Sequence, residues 1–197
     1  MKIPFDKQRD YIYTFNVALS CTNEQILQAL QQETWLPDEA GYAQNSFATR
    51  YRLINPVDPR LKSIQEWVDN SDFKTQIIDQ LYQEKLFPGY WGLSQSRMME
   101  KTFMYGIYTL DKPGYSIRIH TDDRLHVVQG MIYFTPTDDP DQSTTFYTSF
   151  EGDNPLRIPN GPGSGYFAAN LSTSWHTGKN SSSLDRYSLI FGIRLNL

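Results

Sequence analysis

Of the three histidines in this 197-residue chain, one is followed two positions later by a carboxylate. It is His120, in Ile-Arg-Ile-His-Thr-Asp (117–122). Side chains two apart on a strand leave from the same face, so the His120 imidazole and the Asp122 carboxylate can converge on one metal ion. A third ligand has to come from elsewhere, and His176, in Ser-Thr-Ser-Trp-His-Thr-Gly (172–178), is the best placed. Two imidazoles and one carboxylate on one face of an octahedron leave three positions open, which suits Fe(II) taking a bidentate cosubstrate and O2. A His-x-Asp pair alone is a weak signal. Its ordinary reading is a strand histidine bonded to the neighbouring carboxylate, and for His176 it is a polar loop residue beside Trp175. His126 has no partner at a useful spacing and is expected at the surface or a strand edge.

Ten residues past His176 stands Arg186, with Ser188 after it, in Asp-Arg-Tyr-Ser-Leu-Ile (185–190). This pair also shares one strand face, here the interior one. A buried guanidinium needs an anion, and its planar fork matches a carboxylate in bidentate fashion. Ser188 can add a hydrogen bond to the same carboxylate. The alternative is a structural ion pair between Arg186 and an Asp or Glu of the chain.

The elements that must position these groups change character near residue 100. Before it lie helical patterns. Thr22 or Asn23 can cap a helix running through Ile26, Leu27, Leu30 and Trp35. Asp58-Pro59 opens a second, with Leu61, Ile64, Trp67 and Val68 in phase, and Ser71 or Asp72 opens a third. Early strands are predicted over 11–19 and 47–54. After residue 100 the pattern is short strands: 103–110, 115–121, 126–135, 144–148, 164–169, 174–177 and 186–195. Asp-Lys-Pro-Gly (111–114), 136–140 and 160–163 punctuate them as turns. Strands 127–134 and 186–195 are apolar on both faces, so both faces must be covered. The fold class is therefore α+β, mainly β: one domain over 1–197, with a helical region (1–100) packed on a barrel or sandwich core (101–197).

A net charge of -4 argues against a nucleic-acid surface, and no stretch approaches a transmembrane span. Cys21 is the single cysteine, which excludes an internal disulfide and points to a cytoplasmic protein. Charged residues rather than an apolar run follow Met-Lys-Ile-Pro-Phe-Asp, so no signal peptide is expected.

Taken together, His-x-Asp, a distal His and then Arg-x-Ser about ten residues on resemble the core of Fe(II)/2-oxoglutarate-dependent dioxygenases. The stretch Lys-Pro-Gly-Tyr-Ser-Ile-Arg-Ile-His-Thr-Asp (112–122), with an apolar strand ending Ile-Tyr-Phe-Thr-Pro (132–136), is similar to their prolyl-hydroxylase-like branch. The resemblance implies a double-stranded β-helix, of the jelly-roll or cupin-like class, in the C-terminal half. It implies Fe(II) held by His120, Asp122 and His176, and 2-oxoglutarate gripped at its distal carboxylate by Arg186 and Ser188. Tyr108 and Tyr133 are the tyrosines nearest to those that help bind this carboxylate, or they are ordinary core residues; Tyr108 lies further from His120 than the pattern has it. Arg118 and Trp175, beside ligands, are candidates for the substrate mouth, Arg118 being equally readable as a solvated strand-edge arginine. The implied reaction consumes 2-oxoglutarate and O2 and hydroxylates a substrate of unassigned class; the acidic balance and the lack of a basic amphipathic helix, not the resemblance, lead to the expectation of neither nucleic acid nor membrane as partner. Two rivals are a cupin-like metal enzyme of other chemistry and a jelly-roll binding module without catalysis.

Overall fold

The computed structural model describes residues 2–18, 21–38, 50–86 and 92–196. Helix α1 (Asn23–Gln32) opens on a reciprocal cap. Thr22 Oγ1 accepts from the Gln25 N–H at 3.3 Å, and the Gln25 side chain accepts from the Thr22 N–H at 3.0 Å. Such caps are worth about 1 kcal/mol. The helix stops before Trp35, whose indole turns back to donate to the Leu30 carbonyl at 2.9 Å. Helix α2 (Pro59–Asp69) starts from Asp58 with proline at its first turn. Asn70 ends α2 and caps α3 (Ser71–Gln83), which opens at Ser71 as expected. Helix α4 (Gln95–Lys101) was not predicted; it buries only Met98, so it has no apolar stripe to reveal it.

Among the described residues, four strands precede residue 100: β1 (Asp6–Arg9), β2 (Ile12–Asn16), β3 (Leu36–Pro37) and β4 (Arg50–Leu53). The rest are β5 (Thr102–Asp111), β6 (Tyr115–Ser116), β7 (His126–Tyr133), β8 (Thr144–Tyr147), β9 (Leu156–Arg157), β10 (Ser164–Ala169), β11 (Trp175–Asn180) and β12 (Arg186–Leu195). They form an eight-stranded sheet, β1-β2-β10-β7-β12-β5-β4-β3, and a four-stranded sheet, β6-β11-β8-β9. From β5 onward the chain winds between them: β5, β7, β10 and β12 in the large sheet, and β6, β8, β9 and β11 in the small one. That winding is a double-stranded β-helix, the expected class. The predicted early strands contain β2 and β4, while residues 19 and 47–49 lie outside the described residues.

The first hundred residues therefore do more than back the core. They extend both edges of the large sheet, and β4 lies antiparallel on β5 with Arg50 opposite Asp111 and Arg52 opposite Thr109. The turn assigned to 111–114 gives up its first residue, because Asp111 is the last position of β5. The strand predicted over 115–121 is regular only at Tyr115–Ser116.

Two apolar clusters explain the two-faced strands. Tyr187, Leu189, Phe191 and Ile193 of β12 pack outward with Val128 and Ile132 of β7, under α2 and α3. Met131 and Tyr133 face the other way, between the sheets, with Phe146 and Tyr166. No helix among the described residues is long and apolar enough to cross a membrane.

Gly130, at the middle of β7, is where Phe191 crosses the strand. A Cβ there would collide with the Phe191 ring and lie 2.6 Å from the Tyr166 carbonyl oxygen. Gly130→Ala should cost about 2–3 kcal/mol through overpacking, read as a lowered midpoint in urea unfolding at unchanged slope.

Candidate metal centre

His120 and His176 face each other across the two sides of an irregular antiparallel pair. The His120 N–H donates to the His176 carbonyl at 3.0 Å and the His176 N–H returns the bond at 2.9 Å. Between Ser116 opposite Lys179 and His120 opposite His176, one side spends four steps and the other three. One extra residue is thus bulged out, a device that re-aims side chains beside functional sites. The imidazole centroids come to 4.3 Å, and His120 Nε2 lies 3.7 Å from Asp122 Oδ1. One ligand atom from each of His120, Asp122 and His176 lies within 4.8 Å of the others.

The tautomers suit a metal. His120 Nδ1 sits 2.8 Å from the Arg118 carbonyl oxygen, which fixes the proton there and leaves Nε2 for the ion. His176 Nδ1 donates to the Ser174 carbonyl at 3.0 Å, with the Gln129 amide 3.2 Å from the same edge. Burial holds the His176 imidazole below its usual pKa, against the pull of Asp122, so it is the neutral, ligating form. Two imidazoles and a carboxylate around one point fit a divalent iron.

These three side chains open on a cavity of about 490 Å³ between the sheets. Strand register sorts the inward-facing residues of the large sheet, some lining the cavity and some behind it, into rows. At one end Arg50, Asp111 and Arg186 stand side by side across β4, β5 and β12. Next come Thr109, Ser188 and Tyr133, then an apolar row of Ile107, Ile190 and Met131. Tyr105, Gly192 and Gln129 follow, and Phe103, Arg194 and His126 close the far end.

Arg186 is fully buried, and its partner is Asp111, also fully buried. Nε donates to Asp111 Oδ2 at 2.9 Å and Nη2 donates to the same oxygen, while Nη1 donates to the Lys179 carbonyl at 3.0 Å. Arg50 takes the other side of the carboxylate, with Nε 2.6 Å from Oδ1 and Nη2 3.0 Å from Oδ2. Burial alone would raise the Asp111 pKa, but Arg50 and then Arg186 outweigh it and hold the carboxyl below its usual range. The ion pair weighed as the alternative for Arg186 is thus what the structure contains.

Other predicted residues fall in mixed places. Ser188 faces inward but shares a 2.8 Å hydrogen bond with Thr109. Tyr133 also faces inward and donates to Thr144 Oγ1 at 2.7 Å. Tyr108 is corrected: out of phase with Ile107 and Thr109, it points away from the cavity and donates to the Leu61 carbonyl at 2.9 Å. Arg118 is exposed, the solvated reading of the two it carried, and lies in the bulged stretch between Ser116 and His120. Trp175 faces away from its neighbour His176, with its ring 5.5 Å from Phe150, outside the cavity wall. His126 is not a surface residue. It is 8% exposed on the cavity wall, with Nε2 2.8 Å from the Tyr105 hydroxyl and Nδ1 3.2 Å from Asp123. Sequence reasoning missed Asp111 and Arg50; the one available signal was an acidic residue closing an otherwise apolar strand.

No protein-family model matches the sequence, and no curated protein matches it significantly. Solved structures do match the fold. A Pseudomonas putida prolyl-4-hydroxylase is 14% identical, with 89% of this chain and 86% of that one covered at a TM-score of 0.56. The viral collagen prolyl hydroxylase of Paramecium bursaria Chlorella virus-1, solved with 2-oxoglutarate, is 12% identical over 94% and 97%, at 0.53. A non-haem α-ketoglutarate-dependent epimerase of nogalamycin biosynthesis is 11% identical over 95% and 77%, at 0.59. The chain shares the double-stranded β-helix of these oxygenases.

Asp111→Ala should destabilise the protein by about 3–5 kcal/mol, because two buried guanidiniums lose their anion. Since the folded pKa of Asp111 is depressed, its contribution is present above the unfolded value of about 3.9 and fades as pH falls through the folded value. Urea midpoints measured from pH 7 downward should therefore fall more steeply for wild type than for Asp111→Asn.

Proposed function

We propose that this chain is a mononuclear non-haem iron oxygenase that uses 2-oxoglutarate. The reaction converts 2-oxoglutarate, O2 and a substrate C–H into succinate, carbon dioxide and C–OH, one oxygen atom entering each oxidised product. The observation that carries this reading is the convergence of His120, Asp122 and His176 on the wall of a cavity with two arginines, Arg50 and Arg186, at one end. The fold, shared with oxygenases of several chemistries, supports it.

In this reading His120, Asp122 and His176 hold Fe(II), which when bound supplies the site for O2 and the chelating end of 2-oxoglutarate. The Arg118 and Ser174 carbonyls keep both imidazoles in their ligating tautomers. Arg186, Ser188 and Tyr133 stand toward the cosubstrate end of the inner wall. The apolar row of Ile107, Ile190 and Met131 keeps the middle of the cavity dry, which confines the reaction to the bound substrate. The opposite end, with Tyr105, Gln129, His126 and Arg194, is the substrate side. Cytoplasmic placement belongs to the same reading and rests on the lone Cys21.

The Asp111 pair favours one rival, a metal enzyme of other chemistry on the same barrel, because it gives Arg186 a partner without any cosubstrate. One experiment separates the two. Fe(II) and 2-oxoglutarate added anaerobically should give a visible charge-transfer band, and His176→Ala should lose most of it. Wild-type protein with verified iron occupancy that shows neither the band nor 2-oxoglutarate-dependent succinate would refute the oxygenase reading.

A further inference from the structure

A carboxylate site needs unbalanced positive charge, and Arg186 does not supply it. Its Nε and Nη2 are spent on Asp111 and its Nη1 on the Lys179 carbonyl, so the Arg186–Asp111 pair is neutral. Arg50 changes the sum. Two guanidiniums against one carboxylate leave one positive charge at this end of the cavity. Burial opposes the charge on Arg50, but Asp111 outweighs it and raises its pKa, so it stays protonated. The neighbouring Arg52 adds little, because Asp38 pairs it at 2.9 Å.

A second observation marks the same place. Tyr115 is 1% exposed and lines the cavity, and its hydroxyl meets no hydrogen-bond partner among the described residues. Its ring lies beneath both arginines, 4.4 Å from the Arg50 guanidinium carbon and 5.8 Å from that of Arg186. A buried phenol without an acceptor, beside an uncompensated cation, lacks an anion.

We propose that Arg50, brought by β4 from outside the β-helix core, supplies the charge that holds the distal carboxylate of the cosubstrate, with the Tyr115 hydroxyl as companion donor. Arg186 then acts as a positioning residue that anchors Asp111, and Asp111 orients Arg50. This rests on the oxygenase reading.

The test is calorimetric titration of 2-oxoglutarate into protein loaded with Mn(II), with Mn(II) affinity and thermal unfolding recorded for every variant. Arg50→Met should weaken 2-oxoglutarate by about 30-fold or more and leave Mn(II) affinity unchanged, and Arg50→Lys should recover most of the loss. Tyr115→Phe should cost about 5- to 10-fold. Arg50→Met combined with Asp111→Asn should bind better than Arg50→Met alone, because Arg186 regains an unbalanced charge; a structural role for Arg50 predicts a further loss instead. If wild type binds but Arg50→Met binds equally well, or if the double variant is the weaker, the inference is overturned and the oxygenase reading stands. If Arg50→Met does not fold, unchanged affinity in Tyr115→Phe overturns it. If wild type itself fails to bind, both fall.

Discussion

The reciprocal backbone bonds between His120 and His176 are the constraint on which the centre depends. They set two imidazoles side by side without requiring either side chain to reach, and Asp122, two residues past His120, comes into the same space. Such pairing places the donor atoms in advance, so a metal would meet them at little reorganisation cost. The rest of the barrel serves this pairing. The large sheet supplies the opposing wall, and Gln129 of β7 meets His176 across the gap.

Much of this was legible because strands write their geometry in a two-residue code. The alternation in 186–195 placed Tyr187, Leu189, Phe191 and Ile193 under the helices and Arg186 and Ser188 inside, as observed. Where the code is interrupted, it decided less. A bulge that a sequence does not show left Arg118 readable both as a mouth residue and as a solvated one, and the second holds; Tyr108 came from the resemblance, and its phase puts it outside. Helix α4 carried too little periodicity to be seen.

The partner of Arg186 was illegible for another reason. Asp111 lies 75 positions away and Arg50 a further 61, so only the register of β4, β5 and β12 brings them together. Both carry ordinary local readings, one as a turn residue and the other as a charged strand residue. A buried ion triad is a poor source of stability, since desolvation cancels much of the attraction. Its persistence here is better understood through the charge it presents to the cavity.

The edge pairing of β4 on β5 makes the first hundred residues part of the pocket rather than an accessory. A fragment cut to the β-helix alone, 101–197, would keep all three histidines and Asp122, yet leave an open sheet edge and an electrically neutral cavity floor. The convergence of His120, Asp122 and His176 is a property of the barrel, whereas the positive charge at the other end of the cavity depends on the whole chain.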